Sequence, residues 1–264
     1  MRPAGSDTPR NGALRQAWVE LKYQQIAYWR NPLGAFFTFF MPVLFLVIFA
    51  SIDRGGHYQG EPLNQYFIPG IMTFGVIAAC YTNLAISLTS QREEGILKRV
   101  RGTPLPAWVF LAATVASSIV RAAVLVALTL GLGAALYGLE IPLHTAAALA
   151  AAVVLGAATF CALGVAITAF IPNADAAPAI VNAVYLPLMF LSGTFFPISS
   201  TSVLAKIASY FPVRPFVLLC TRAIDLRTSG SGFDLHQLGA LALWGLVGVV
   251  VAVRRFSWVP RRAT

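Results

Sequence analysis

The chain carries little charge and has no polar stretch long enough to form a separate soluble domain. Only 11% of its 264 residues are Asp, Glu, Lys or Arg, whereas 58% are hydrophobic. Soluble domains carry about 25% charged residues, so this composition excludes an ordinary globular protein and predicts an integral membrane protein. No secretory signal is expected, because a charged, polar stretch precedes the first apolar run.

Sequence motifs for catalysis and nucleotide binding are also missing. The sequence has no GxxxxGK[ST] phosphate loop, no HExxH and no GxSxG. Its three cysteines form no CxxC pair, and its three histidines lie far apart at predicted loop edges. We therefore expect no catalytic residue, no metal site and no cofactor bound by this chain, which disfavours an intramembrane enzyme.

The long apolar runs lack acidic side chains. All ten Asp and Glu residues fall in predicted termini, loops or span ends. A transporter driven by a proton or sodium gradient keeps carboxylates inside its spans. Energy, if the protein uses any, is therefore expected to come from another protein that docks on the cytoplasmic face.

Apolar runs long enough for membrane helices of about 20 residues are abundant. We predict an all-α integral membrane protein with a single six-span domain at 33–256, after a disordered stretch at 1–12 and before a basic cytoplasmic tail at 257–264. The apolar pieces between spans 5 and 6 are too short to cross, which predicts short re-entrant helices there. The predicted spans are 33–51, 66–90, 107–137, 145–171, 177–191 and 235–253.

Residues 13–32 have a helical pattern that is too polar to span. Leu14, Trp18, Leu21 and Ile26 recur at helical spacing, and charged residues lie off that stripe. Tryptophan and tyrosine prefer headgroup depth. The pattern favours an interfacial amphipathic helix; the alternative is a cytoplasmic helix packed only on this chain.

The basic residues are clustered in three places. They concentrate before span 1, between spans 2 and 3, and after span 6. The positive-inside rule then places these segments, and both termini, in the cytoplasm. The net charge of +9 is explained by this topology, so no nucleic-acid partner is expected.

The densest charge lies at residues 91–106, between spans 2 and 3. Ionised groups cost roughly 2.5–3.5 kcal/mol each at the bilayer centre, so this segment must lie in water. The pattern predicts a short amphipathic helix with Leu97 on its apolar side and Glu94 four residues before Lys98. Thr103 and Pro104 would end the helix. It is a candidate contact for another protein, and a solvated loop with local ion pairs is the alternative.

The order of these parts resembles the ABC-2 family of transporter permeases, which includes daunorubicin-type drug export permeases. The family has an interfacial N-terminal helix, six spans, a cytoplasmic R-E-x-G-x-L-x-R segment followed by T-P, and a glycine-to-proline motif after span 5. This chain has REEGILKR at 92–99, then Thr103-Pro104, and GTFFP at 193–197.

The resemblance implies one half of an ATP-driven exporter in the plasma (inner) membrane. A second permease chain, identical or different, would pair with it, and two copies of a separate ABC ATPase would bind ATP and Mg. Substrates would be hydrophobic or amphipathic, drug-like or lipid-like, as in efflux and antibiotic resistance. The alternative is a membrane scaffold or assembly protein that transports nothing.

The resemblance and the polar positions within the spans give three sets of candidate residues. The ATPase-coupling set is Arg92, Glu93, Glu94, Gly95, Leu97, Lys98 and Arg99, with Trp18 and Lys22 on the N-terminal helix. The translocation-path set is Phe37, Phe40, Tyr81, Asn83, Ser87 and Arg121, where plain packing is the alternative for the phenylalanines. The outer re-entrant motif comprises Gly193, Phe196, Pro197 and Pro212. Arg121 either snorkels to the inner interface or faces a wet path or partner chain.

Overall fold

The computed structural model describes residues 9–52, 57–58, 61–103, 105–139, 142–195 and 202–258. The regular secondary structure in these ranges is helical apart from one antiparallel hairpin of two-residue strands, β1 (His57–Tyr58) and β2 (Glu61–Pro62). The helices are α1 (Pro9–Trp29), α2 (Pro32–Ile52), α3 (Leu63–Ile77), α4 (Asn83–Glu93), α5 (Ile96–Arg101), α6 (Ala107–Tyr137), α7 (Ala146–Ile167), α8 (Ala177–Leu191), α9 (Val203–Ala208), α10 (Val213–Ile224) and α11 (Leu235–Arg255).

Four of the described helical segments are long and apolar enough to cross a membrane. They are Phe67–Glu93, Trp108–Tyr137, Leu143–Ile167 and Leu235–Arg255. A fifth candidate combines α1 and α2, whose axes differ by 95°. The remaining apolar helix, α8, has 15 residues and is about 22 Å long, against a hydrocarbon core of about 30 Å. The all-α membrane architecture is as expected, while the full count of six spans stays a prediction.

The element bounds differ from the predicted ones mainly where polar residues adjoin apolar runs. Helices α6 and α8 have the same bounds as predicted spans 3 and 5. Helix α1 begins at Pro9, so residues 9–12 are helical where disorder was predicted. Predicted span 2 is the continuous run of α3, a π-helical turn at Ala78–Thr82, and α4.

The π-helical turn lies where helix α7 comes closest to this run. A Cβ atom on Gly164 of α7 would lie 2.9 Å from the carbonyl oxygen of Cys80 and 3.0 Å from that of Tyr81. A side chain of any size at position 164 would therefore push the two helices apart. Glycine in α7 fixes this backbone-to-backbone contact, as small residues commonly do in membrane helices.

Two short helices, α9 and α10, lie between α8 and α11, in the region where re-entrant helices were predicted. Helix α10 packs against α3, α7 and α11. Its Phe216 is fully buried, and its ring lies 5.7 Å from that of Phe160 beside Gly156, where a Cβ would meet the ring. How deeply these helices enter the membrane stays a prediction.

Described parts of three segments that carry basic residues contact or adjoin the first half of α6. Trp258, just after α11, lies 6.3 Å (ring centroids) from Phe110 at the start of α6. Gln24 of α1 donates a hydrogen bond of 2.7 Å to Thr114, also in the first half of α6. Helix α5 directly precedes α6 in the chain. The N-terminal helix, α5 and the end of α11 therefore share one end of the molecule.

Candidate functional site

The predicted amphipathic helix at 91–101 is broken in two. Helix α4 ends at Glu93, Glu94 is its C-terminal cap, and Gly95 has a left-handed φ of +72°. A glycine in this conformation is a common way to end a helix. The six-residue α5 then begins at Ile96. Glu94 and Lys98 thus lie on opposite sides of a break, and the continuous helix that would place them four residues apart does not form.

Arg92 is turned into the protein, although the sequence predicted it in water. Its side chain is only 3% exposed. It donates hydrogen bonds to the backbone carbonyls of Thr168 (2.9 Å) and Ile171 (2.7 Å). Helix α7 ends at Ile167, so these acceptors belong to its C-terminal cap and the turn that follows. Carbonyls at a helix C-terminus lack partners within the helix and carry partial negative charge, which a guanidinium satisfies well.

Glu93 makes the complementary contact on the other side of the same turn. Its carboxylate accepts a hydrogen bond from the backbone N–H of Ala174. Asn173 accepts from the N–H of Ala176, at the N-terminal cap of α8. Adjacent residues of opposite charge therefore bind the end of α7 and the start of α8. We call these contacts of Arg92 and Glu93 the helix clamp.

Three further residues of the predicted ATPase-coupling set are exposed, whereas Leu97 is buried. Glu94, Lys98 and Arg99 are exposed, and we call these three residues the docking face. Leu97 is fully buried in the apolar core and anchors α5 beneath them. The structure thus divides one predicted set into the helix clamp, in which Arg92 is buried and Glu93 is exposed, and the exposed docking face. Trp18 and Lys22 lie on the exposed side of α1.

Arg121 is packed between α6 and α1, and its place on a translocation path stays a prediction. It is buried and donates hydrogen bonds to Ser117 (3.1 Å) and Ser118 (2.8 Å) of its own helix. Its guanidinium carbon lies 4.4 Å from the ring centroid of Tyr28 in α1. Gln25 of α1 also donates to the carbonyl of Ser117 at 2.9 Å. Arg121 therefore fastens the N-terminal helix to α6.

Replacing Tyr28 with leucine is expected to loosen α1 from α6. The substitution keeps an apolar side chain but removes the ring face from a buried cation, an interaction worth about 0.5–2 kcal/mol. The thermal unfolding midpoint should fall by about 2–6 °C. Tyr23→Leu, at a position in the same helix that is 66% exposed, should change it by less than about 1 °C. Equal effects of the two substitutions in a melting experiment would contradict the role of the Tyr28 ring.

The predicted path residues do not share one face of the second span. Asn83 donates a hydrogen bond of 2.8 Å to Thr38 of α2, and Ser87, one turn further on, accepts from Gln91 at 3.0 Å. Tyr81 is buried on the other side, 6.3 Å from the ring of Tyr185 in α8. Residues two apart on a helix point to nearly opposite sides, so Tyr81 cannot line the surface that carries Asn83.

The structure describes the side chain of one of the two predicted path phenylalanines of span 1, and their role stays a prediction. Phe40 is exposed and stacks on Phe36, with ring centroids 4.4 Å apart. The side chain of Phe37 lies outside the described part of the structure. Of the predicted path set, Phe40 and Ser87 are exposed in this chain.

The outer motif begins with a direct backbone contact to span 2. Gly193 has a φ of +78°, and Thr194 is fully buried. The carbonyl oxygen of Thr194 lies where a Cβ of Gly70 in α3 would be, at 2.0 Å. Pro212 is buried at the start of α10. Phe196 and Pro197 lie outside the described residues.

Sequence reasoning missed the helix clamp and the contact between Gly70 and Thr194. Each depends on a backbone atom that lies far away in the chain, so the partner has no sequence signal of its own. A readable signal existed for the break at Gly95, since a glycine that follows charged residues at a helix end is a typical C-terminal cap. Among the described residues, no group of three His, Cys, Asp or Glu side chains could hold a metal ion.

Comparison with known proteins identifies the family of the chain. The model of the ABC-2 type transporter family matches residues 15–219, which include most of α1, the docking face, the helix clamp and α10 up to Leu219. The inner membrane transport permease YadH of Escherichia coli strain K12 is 24% identical over 189 residues, which cover 71% of this chain and 72% of YadH. The YadH proteins of Escherichia coli O157:H7 and Shigella flexneri match equally well. This chain therefore belongs to the ABC-2 type transporter family.

Proposed function

We propose that the chain is the permease subunit of an ATP-driven exporter, with ATP hydrolysed by a separate ABC ATPase. In this proposal the chain crosses the inner membrane six times through α2, the α3–α4 run, α6, α7, α8 and α11. The basic residues before span 1, between spans 2 and 3 and after span 6 support a cytoplasmic location for both termini under the positive-inside rule. Two permease chains and two ATPase subunits would form the complex.

The observation that supports coupling to an ATPase is the division between the docking face and the helix clamp. Glu94 at the end of α4, with Lys98 and Arg99 on α5, offers exposed charge of both signs. One turn away, Arg92 and Glu93 bind the junction between α7 and α8. A displacement of α5 would therefore move α4, to which α5 is connected by the backbone. It would also move the junction of α7 and α8, to which α4 is bound by the helix clamp. Rigid hydrogen-bonded elements of this kind can pass a displacement on as a unit.

The composition of the membrane region supports a substrate that is mostly apolar. The spans contain no acidic side chain apart from Glu93 at the very end of α4. The basic side chain within span 3, Arg121, contacts Ser117, Ser118 and Tyr28. A strongly charged substrate would meet no opposite charge there. A hydrophobic or amphipathic molecule, drug-like or lipid-like, fits this surface better, and α8 with the exposed face of α4 would border its path.

Reversing one charge of the docking face is expected to release the ATPase. Lys98→Glu should weaken binding of the ATPase about 10-fold or more, because a like-charge contact replaces an attractive one. Lys206→Glu is the matched control, since Lys206 is also exposed on a six-residue helix, α9, beyond the other end of α8. The measurement is the intact mass of the complex extracted gently in detergent, with its co-purifying chains identified.

Either result of this measurement is informative. Two permeases with two ATPase copies in the unaltered complex, and ATPase lost in Lys98→Glu but kept in Lys206→Glu, would support the proposal. A lone or self-paired chain, under conditions that keep other ABC transporters whole, would favour the alternative of a scaffold that transports nothing. Loss of ATPase in both variants would place the contact elsewhere on the surface.

A further inference from the structure

A crevice of about 270 Å³ lies between α7, α8, α10 and α11. Its walls consist almost wholly of apolar side chains, and none of the described residues that line it is acidic or basic. They include Phe160, Ile167, Leu188, Trp244, Val247 and Val251. A cavity of this kind repels water, which needs two to four polar partners to be retained.

The crevice opens sideways onto the surface that would face the bilayer. Phe170 at its rim is 63% exposed, and Val184 and Val247 on the two flanking helices are exposed as well. In a membrane this surface meets hydrocarbon. An empty crevice would forfeit dispersion contacts along its whole wall, so the natural occupant is a hydrocarbon chain that enters from the bilayer between α8 and α11.

Positive charge lies just below one end of the crevice. Val251 is the lining residue nearest the end of α11, and Arg254 and Arg255 follow it by three and four residues. That spacing puts both arginines on the side of α11 that carries Val251, about 5–6 Å closer to the end of the helix. Both are exposed, at the depth where a span ends and headgroups begin.

We propose that this crevice binds one acyl chain of an anionic phospholipid, with the lipid phosphate held by Arg254 and Arg255. The apolar wall selects a chain, and the two guanidinium groups select negative charge, since each basic residue near a membrane surface attracts anionic lipid. The lipid would fill the gap between α8 and α11 and stabilise their separation. This site requires no ATPase and no transported substrate, so it stands apart from the permease role.

Trp244 provides a reporter inside the crevice. Its indole N–H donates a hydrogen bond of 2.8 Å to the carbonyl of Tyr210, which holds the ring in the wall. Bromine atoms on an acyl chain quench tryptophan fluorescence on contact. In the full-length chain, the other four tryptophans (Trp18, Trp29, Trp108 and Trp258) are replaced by phenylalanine. The protein is reconstituted in phosphatidylcholine nanodiscs that also contain either dibrominated phosphatidylglycerol or dibrominated phosphatidylcholine.

We expect the fluorescence of Trp244 to be quenched in a saturable way by both lipids. Half-maximal quenching should need a mole fraction of dibrominated phosphatidylglycerol about 10-fold lower than that of dibrominated phosphatidylcholine. Replacing Arg254 and Arg255 with glutamine should make the two lipids equal without abolishing quenching. Val247→Phe should remove saturable quenching by both lipids, because the new ring fills the crevice. Val249→Phe is the matched control: it is equally exposed to lipid on the far side of α11 and should change nothing.

Two results would overturn the proposal. Equal quenching by both lipids in the chain with native arginines would mean ordinary contact with surrounding lipid. Unchanged saturable quenching in Val247→Phe would mean that the chain binds elsewhere. Because Trp258 packs on Phe110, the lipid preference is also measured on the unaltered chain, by native mass spectrometry of retained phosphatidylglycerol. The proposal also requires that the variant with glutamine at positions 254 and 255 loses the preference for phosphatidylglycerol in mass spectrometry, as it should in the fluorescence experiment.

Discussion

Replacing Arg92 with alanine should lower the thermal unfolding midpoint by about 5–10 °C and detach α4 from the junction of α7 and α8. The substitution leaves the carbonyls of Thr168 and Ile171 without the guanidinium that now donates to both. A hydrogen bond from a charged donor contributes about 1.5–3 kcal/mol, and a chain of this size loses about 2–4 °C per kcal/mol. Arg92→Lys should recover part of the loss, because an ammonium group cannot bridge two carbonyls as a planar fork does.

The detachment can be observed without knowing the transported substrate. Spin labels on cysteines introduced at Arg101 and Asp175, both exposed, report the distance between α5 and the turn before α8. The three native cysteines are buried and should not label. We expect one narrow distance distribution for the unaltered chain and a broad one for Arg92→Ala. Because Arg99 is exposed, Arg99→Ala should leave both the midpoint and the distribution unchanged. If Arg92→Ala behaves in the same way, the helix clamp does not hold these elements together.

Under the proposed function, ATPase binding and the transmission of its movement would depend on different residues, those of the docking face and those of the helix clamp. Arg92→Ala leaves Glu94, Lys98 and Arg99 in place, so the proposed ATPase should still bind. Lys98→Glu, by contrast, should lose the ATPase while keeping the narrow distance distribution. Arg92→Ala should bind the ATPase but lose the fixed distance between α5 and the turn before α8, whereas Lys98→Glu should keep that distance but lose the ATPase. This pair of results would establish that binding and transmission depend on different residues.

Apolar runs predicted the bounds of the helices well where polar residues flank them sharply. Helix α8 begins and ends at the predicted residues, because Asp175 precedes it and Ser192 with Gly193 follow it. Helix α1 was recognised as too polar to span, but its start was placed four residues late. The reason is that residues 9–12 contain proline, asparagine and glycine, which are poor helix formers on propensity alone.

The sequence predicted where in the chain the candidate site lies, but not how its side chains are arranged. The charge at 91–101 marked the connection between spans 2 and 3, yet charge alone cannot tell a buried arginine from an exposed one. Arg92 is buried because its acceptors are backbone carbonyls 76 and 79 residues further along the chain, which any residue type would supply. The opposite positions of Tyr81 and Asn83, by contrast, follow from helical periodicity and could have been predicted.

Replacing Gly70 with alanine should have the largest effect of any single methyl group added to the chain. The new Cβ would lie 2.0 Å from the carbonyl oxygen of Thr194, and this oxygen belongs to the backbone of a buried turn, so it cannot rotate away. Overpacking in a rigid site costs about 1–3 kcal/mol or more, and the upper end is expected here. The unfolding midpoint should fall by about 6–12 °C.

Gly131→Ala is the matched control and should act in the opposite direction. Gly131 also lies within a long helix, but nothing lies within 4 Å of its Cβ position. Alanine there gains about 1 kcal/mol of helix propensity over glycine, so the midpoint should rise slightly or stay constant. Thermal melts of the two variants in the same detergent make the comparison. A stable Gly70→Ala chain would mean that α3 and the turn after α8 do not meet at this contact. A large fall for Gly70→Ala alone would establish that the turn beginning at Gly193 is positioned by span 2, so that any movement of α3 must also move the entrance to α9 and α10.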